Sequence, residues 1–328
     1  MSARILQILV TSLNCRDCPP AMALLREAGC ALVVPDGHRV VPEEQLCRLV
    51  GDCDAVVAGI DPFTAGVLSA APRLKVIART GVGYDAVDVE AATALGILVT
   101  NAPGSNAISV AEHAMGLMWA LLRHGVALHN SLVAGRWQRI VGTELADKTL
   151  GVVGLGNIGK QVAVRARAFG MAVIATDPVR YDDFAAQHGV RYVPLDELLR
   201  TADIVTLHAP LDATTHHLID RAALAFMKPT AYLVNTARGG IVDEDALVAA
   251  LQMRRIAGAA LDVFEEEPLR HGGFGALDNV VLSPHIAGIT KEAIERMAFV
   301  GVQTVLAALR GERPQGIVNP DVWEHRRR

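Results

Sequence analysis

No stretch of this chain is long and apolar enough to cross a bilayer. The longest plain apolar run, Ala114 to Leu122, is about half a span and is bracketed by His113 and Arg123, so it reads as a buried helix. A large excess of either sign of charge is also missing. The net charge is -4, without the basic excess that nucleic acid or an anionic membrane surface requires of a partner. Cysteine is scarce: there are 5, an odd number confined to the amino-terminal part, which builds no disulfide framework and fits a reducing cytoplasm. Cys15-Arg16-Asp17-Cys18 has no second pair or histidine cluster beside it, so loop cysteines are expected and no metal. The apolar run Ile5 to Val10 has no small-residue cleavage site after it and reads as a first strand. Internal repeats, low-complexity segments and Ser/Gly linkers are absent, and Arg326-Arg327-Arg328 is expected to be a short solvated tail.

What is present is apolar material for two cores, 51% of 328 residues, and one conspicuous segment. That segment is Val152-Val153-Gly154-Leu155-Gly156-Asn157-Ile158-Gly159. The run ending at Gly154 predicts a buried strand, and the spacing from Lys160 to Phe169 predicts the helix after it. Gly154 permits the tight turn, Gly156 lets the backbone approach a pyrophosphate, and Gly159 lets the helix lie close on the strand. A diphosphate at such a helix start gains N–H hydrogen bonds without a cationic side chain. The next run, Ala172 to Thr176, ends at Asp177, whose carboxylate suits both adenosine ribose hydroxyls and repels a 2′-phosphate. NAD is therefore the expected cofactor and NADP is disfavoured, with the nearby Arg180 as the one feature that softens the preference.

Strands are expected near Ile5 to Val10, Ala31 to Val34, Ala55 to Ile60, Lys75 to Arg79 and Ile97 to Thr100. A helix from about Ser109 to Leu128 and an irregular arm around Trp137 precede the fingerprint. Further strands are expected at Ile204 to His208, Ala231 to Asn235, Ala257 to Leu261 and Val280 to Ser283, with helices such as Glu244 to Leu251 between them. This alternation predicts an α/β protein of two Rossmann-like or flavodoxin-like parallel-sheet domains separated by a cofactor cleft, with ligands beyond the carboxyl ends of the strands.

Those strand ends carry an unusual set of residues: Asn235-Thr236-Ala237-Arg238-Gly239-Gly240, Asp262, Glu267-Pro268 and Ser283-Pro284-His285-Ile286-Ala287-Gly288. With the glycine fingerprint, Gly81-Val82-Gly83-Tyr84-Asp85, Pro103-Gly104-Ser105-Asn106 and Ala111-Glu112-His113, the chain closely resembles the D-isomer-specific 2-hydroxyacid dehydrogenases, the family of phosphoglycerate, glycerate and D-lactate dehydrogenases. Only the stretch before Gly81 is nondescript. The resemblance implies an NAD-dependent oxidoreductase acting on a small D-2-hydroxy acid or 2-keto acid, with Arg238, Glu267 and His285 as catalytic residues. A protonated His285 can give the carbonyl oxygen its proton, an adjacent Glu267 carboxylate favours and orients that imidazolium, and the planar Arg238 fork suits the substrate carboxylate. Taken singly these are ordinary: Arg238 a surface partner of Asp243, Glu267 a loop charge, His285 a half-buried histidine. Their joint placement after successive predicted strands favours the catalytic reading.

The resemblance further implies backbone groups of Val82 and Gly83 on the substrate carboxylate. It also implies Gly154, Gly156, Asn157, Ile158, Gly159, Asp177, Ala102, Ala209, Thr236, Ala237, Arg238, His285 and Gly288 around the cofactor. Asp262 is a partner for the nicotinamide carboxamide or an Asx turn, and Asp243 reads as a helix cap. His208, His216 and His217 read as local strand-end or loop residues. The expected substrate domain is 1–102 plus 291–328, the NAD domain 103–290, and the helix near Ala114 with the Trp137 arm a homodimer surface. Alternatives within the same scaffold are a phosphite-type dehydrogenase and an NAD-sensing corepressor; Glu267 counts against a formate-type enzyme. The length of 328 residues is read as leaving no carboxyl-terminal regulatory domain, hence no serine feedback. Arg79, Arg136 and Arg139 are the candidates for holding a substrate phosphate, with solvated surface as their default reading.

Overall fold

Most strands are apolar on both faces, a pattern that suits parallel sheets covered by helices on each side. Ala55–Ala58 and Val76–Arg79 are buried at every position. The computed structural model describes residues 4–37, 40–269 and 273–327. Two compact units result, Met1–Asn106 with Ile289–Arg328, and Ala107–Gly288.

In the first unit, β1 (Gln7–Val10), β2 (Ala31–Val33), β3 (Ala55–Ala58), β4 (Val76–Arg79) and β5 (Leu98–Thr100) form a parallel sheet in the order β2-β1-β3-β4-β5. This is the flavodoxin-like order. Strand alternation sends Leu9, Val56, Ile77 and Val99 into one apolar cluster and Ile8, Val10, Val57 and Leu98 into another. Each fully buried side chain of this size stabilises the fold by about 1.5–3 kcal/mol. The helix Lys291–Leu309 returns to the second cluster with Ala298, Val302 and Val305.

Two expectations fail here. Cys15, expected in a loop, lies in the short helix Leu13–Arg16, whereas Cys18 lies in the turn before the next helix; both are buried in the core, and burial pushes the Cys15 thiol up to about 12. The terminal arginines are not a solvated tail. Arg327 donates to the carbonyls of Ala71 (2.7 Å) and Leu74 (3.2 Å), and the Arg326 guanidinium packs over the Trp323 ring at 3.4 Å. Carbonyls left over at the ends of elements recruit such donors. Arg328 lies outside the described residues.

The second unit holds β6 (Thr149–Val153), β7 (Ala172–Thr176), β8 (Val190–Tyr192), β9 (Ile204–Leu207), β10 (Tyr232–Asn235), β11 (Gly258–Leu261) and β12 (Val280–Leu282). They pair in the order β12-β11-β10-β9-β6-β7-β8, all parallel, which is the dinucleotide-binding order with one more strand at the edge. β8 was not legible, since three residues with an arginine at the centre make no apolar run. Where one helix over 109–128 is expected, there are two, Ala107–Leu122 and Gly125–Val133. His124 breaks the run at φ 54, and the Leu122 carbonyl accepts from the Thr143 N–H (3.0 Å) of the arm.

Candidate active site

The strand order reverses between β6 and β9, and the glycine turn lies there. Gly154 has φ +91, and a Cβ on it would stand 2.6 Å from the Ala209 nitrogen; one on Gly159 would stand 2.1 Å from the Gly154 oxygen. At Gly156 a Cβ would meet nothing within 4 Å. The outer two glycines are therefore demanded by packing, and the middle one opens onto free space. Gly156 precedes the helix Asn157–Ala168, whose start no side chain caps among the described residues, so its first N–H groups have no partner within the helix. Asp177 folds back on this turn, its Oδ2 accepting from Leu155 N–H (2.6 Å) and its Oδ1 from Val179 N–H (2.7 Å). A carboxylate retains further lone pairs beyond these two. Arg180 is engaged elsewhere, by Asp182 at 2.7 Å and over the Tyr192 ring.

Leu207 pairs with Asn235, so His208 and Thr236 follow each other's strands as neighbours. Among the described residues, His208 Nδ1 and Thr236 Oγ1 are both buried with no hydrogen-bond partner. Burial pushes the His208 imidazole down to about 3, so it is neutral, and its Nε2 lies 2.9 Å from Thr206 Oγ1. An open glycine cradle, an uncapped helix start, a ribose-ready carboxylate and two unpartnered polar atoms on adjacent strand ends fit an adenine dinucleotide. From sequence His208 reads as a local residue; its signal is the position next to Ala209, directly after a strand buried at every position.

Arg238, Glu267 and His285 come together within this unit. After β10, Asn235 Oδ1 accepts from Ala237 N–H (3.0 Å) and its Nδ2 donates to the Arg238 carbonyl (2.9 Å), which turns the chain sharply. The Arg238 guanidinium donates to the Ala237 carbonyl (2.8 Å). Gly239 then lies against the Phe264–Glu265 peptide, where a Cβ would stand 1.9 Å from the Phe264 carbonyl carbon. Three residues on, Glu267 Oε1 accepts from Phe264 N–H (3.1 Å) and its Oε2 from His285 Nδ1 (2.6 Å). Burial works to raise the Glu267 carboxyl, but the His285 hydrogen bond and charge, the Phe264 N–H and the Arg238 charge hold it below the usual carboxylate value.

His285 has φ 53, a left-handed conformation that a non-glycine residue keeps only when its surroundings fix it. Asp262 does so. Its carbonyl accepts from His285 N–H (2.7 Å), and its fully buried carboxylate accepts from Ile286 N–H (3.0 Å) and Ala287 N–H (2.8 Å). Burial opposes that charge, yet hydrogen bonds from His113, Ser283, Ile286 and Ala287 keep the Asp262 carboxyl below its ordinary value. Gly288 ends the unit after this loop. Asp243 is the helix cap the sequence predicts, accepting from Ala246 N–H (2.9 Å), and His217 stacks on His216 and contacts Glu265 (2.9 Å).

Val82, Gly83 and Ala102 belong to the first unit. The Val82 carbonyl accepts from Asn101 Nδ2 (2.7 Å) and the Gly83 carbonyl from Arg79 Nε (3.0 Å), whereas the N–H groups of Val82 and Gly83 donate to nothing among the described residues. Ala102 is buried and its N–H donates to the Gly81 carbonyl (3.0 Å). Arg79 is not the surface residue its charge suggests: it is buried at the end of β4 and lines a cavity of about 150 Å³ with Ser12, Asn14, Ile60 and Thr80. Arg136 and Arg139 are exposed.

Comparison with known proteins agrees with this architecture. The model of the D-isomer specific 2-hydroxyacid dehydrogenase NAD binding domain matches residues 115–287. The chain is 44% identical over 317 residues to a D-3-phosphoglycerate dehydrogenase of Methanocaldococcus jannaschii, spanning 95% of this chain but 59% of that protein. It is 44% identical over 296 residues to a glyoxylate reductase of Korarchaeum cryptofilum, covering 88% of each. A crystal structure of D-lactate dehydrogenase from Aquifex aeolicus with NAD and lactic acid matches with a TM-score of 0.84 at 31% identity, over 95% of this chain and 99% of that one. The chain belongs to the D-isomer-specific 2-hydroxyacid dehydrogenase family.

Proposed function

We propose that this chain reduces small 2-keto acids to D-2-hydroxy acids with NADH and catalyses the reverse oxidation with NAD. The contact of 2.6 Å between Glu267 Oε2 and His285 Nδ1 is the observation that carries the reading. With Nδ1 anchored on a carboxylate, Nε2 is the nitrogen left to give or take a proton. The nicotinamide, when bound, supplies the hydride. As the keto carbon receives it, negative charge develops on the carbonyl oxygen and Nε2–H of His285 donates its proton there. Glu267 stabilises the imidazolium before transfer and holds its plane, and in the oxidation the neutral ring takes the alcohol proton back. Arg238 pairs its fork with the substrate carboxylate. Gly154, Gly156, Asn157, Ile158 and Gly159 hold the diphosphate, with Ala209, Thr236, Ala237 and Gly288 around the rest of the dinucleotide. Asp177 accepts from the adenosine ribose hydroxyls, and Arg180, committed to Asp182, leaves that carboxylate free to repel a 2′-phosphate.

Glyoxylate, hydroxypyruvate, phosphohydroxypyruvate, pyruvate and longer 2-keto acids, each with NADH and NADPH, test the proposal by absorbance. Turnover of at least one keto acid, faster with NADH, is expected; tight NADH binding with no turnover of any would favour a sensor.

We also propose a homodimer. Trp119, Leu132, Val133, Trp137 and Val141 are exposed, the last three by 75, 83 and 94%. A run of large apolar side chains that open to water marks a partner surface, and a second copy is the partner proposed. Sedimentation equilibrium at micromolar concentration should return twice the chain mass; a concentration-independent monomer would refute the dimer.

A further inference from the structure

We propose that His113, a residue of the helix Ala107–Leu122, is a positioning residue that holds the His285 loop in its working conformation through Ser283 and Asp262. The proposal rests on the reading of His285 as the proton donor. Asp262 and Ser283 directly follow β11 and β12, whose ends pair at Leu261 and Leu282, so the two side chains stand side by side. Ser283 Oγ donates to Asp262 Oδ1 at 2.5 Å, and His113 Nε2 lies 2.9 Å from the same Oγ and 3.5 Å from Oδ1.

A hydroxyl carries a single proton, and an ionised carboxylate can only accept. The Ser283 proton is therefore committed to Asp262, and His113 Nε2 must carry the proton that points at Ser283. The donors run in one direction, from imidazole to hydroxyl to carboxylate, and end at a group with no exposure to water. That group in turn receives the N–H groups of Ile286 and Ala287, the two residues after His285. A buried carboxylate is tolerated only when donors surround it, so losing one loosens its hold on the others. The left-handed backbone of His285 makes this hold matter. If the loop relaxes, Nε2 shifts relative to the substrate even though Glu267 remains in contact.

His113 touches neither substrate nor cofactor on this account, so its replacement should act on turnover and not on binding. His113→Leu removes the donor at similar size; His113→Gln retains an amide N–H for Ser283. In steady-state reduction, His113→Leu is expected to lower kcat by about 10- to 100-fold, the range expected of a small misplacement of a reacting group. The KM for keto acid and the Kd for NADH, read by fluorescence, should stay within about twofold, a change worth less than 0.5 kcal/mol. His113→Gln should recover most of the lost rate. Amide hydrogen exchange at Ile286 and Ala287 should quicken in His113→Leu and return towards normal in His113→Gln. His285→Ala runs beside them. If His285→Ala is inactive while His113→Leu keeps wild-type kcat and exchange, the proposal fails and the reading of His285 survives. If His285→Ala is fully active, that reading fails and takes the proposal with it. A His113→Leu protein with raised KM and no rescue by glutamine would show a merely structural role and overturn the proposal as well.

Discussion

His285→Ala is expected to lower kcat for keto acid reduction by roughly 10²- to 10⁴-fold, the usual contribution of a positioned general acid, while NADH still binds. The proton must reach the carbonyl oxygen as the hydride reaches carbon, and water substitutes poorly for a donor fixed on both sides. One side is Glu267 at 2.6 Å, the other the backbone hold of Asp262 on residues 285–287. Glu267→Gln keeps an acceptor for Nδ1 but removes the charge that favours the imidazolium, so a loss near the lower end of that range is expected. The depressed Glu267 carboxyl gives the pH dependence a sign. Its folded-state value lies below the ordinary glutamate value, so the carboxylate is fully ionised above that ordinary value and its stabilising contribution is lost only as pH falls through the depressed one. Wild-type turnover should therefore not decline through the usual carboxylate range on account of Glu267. Stopped-flow NADH oxidation across pH 4 to 9 measures both effects, and near-normal rates in both variants would reject the assignment.

Gly239→Ala should be the most damaging single methyl that this chain can gain near the site. The added carbon would lie 1.9 Å from the Phe264 carbonyl carbon, 2.1 Å from its oxygen and 2.3 Å from the Glu265 nitrogen. These are backbone atoms of the segment that carries Glu267, so no flexible side chain can yield. Overpacking ordinarily costs 1–3 kcal/mol; a collision with backbone belongs at or beyond the top, about 3 kcal/mol. A well-populated native state is expected to lose a large part of its urea resistance, and the surviving fraction to lose activity as Arg238 and Glu267 are pushed apart. By contrast, a Cβ at Gly156 meets open space, so Gly156→Ala should leave stability near wild type. Equal denaturation midpoints for wild type and Gly239→Ala would refute the close packing.

The cofactor fingerprint was legible because all of its signals are local: strand, three glycines, helix start and Asp177 fall within one βαβ stretch. Arg238, Glu267 and His285 were legible only in company, since each is an ordinary polar residue until the parallel order of β10, β11 and β12 brings their strand ends together. Gly239 carried no signal of its need to be glycine, because the peptide it lies against is far along the chain. Arg79 was misjudged by its charge: a guanidinium at the end of a buried strand is tolerated where a carbonyl such as that of Gly83 accepts from it. The helix break at His124 was hidden too, as the Thr143 N–H that takes the Leu122 carbonyl belongs to a later segment. His113 looked like one letter of a motif, and its partner Ser283 stands on the opposite side of the unit's sequence.

The keto acid assay answers the central question most directly when it is run with NADH deuterated on the transferable C4 position and the product is read by NMR and chiral chromatography. A D-2-hydroxy acid with deuterium bonded to C2 is expected and, for His285→Ala under the same conditions, almost none. An L-product, deuterium lost to water, or equal yields from wild type and His285→Ala would contradict it.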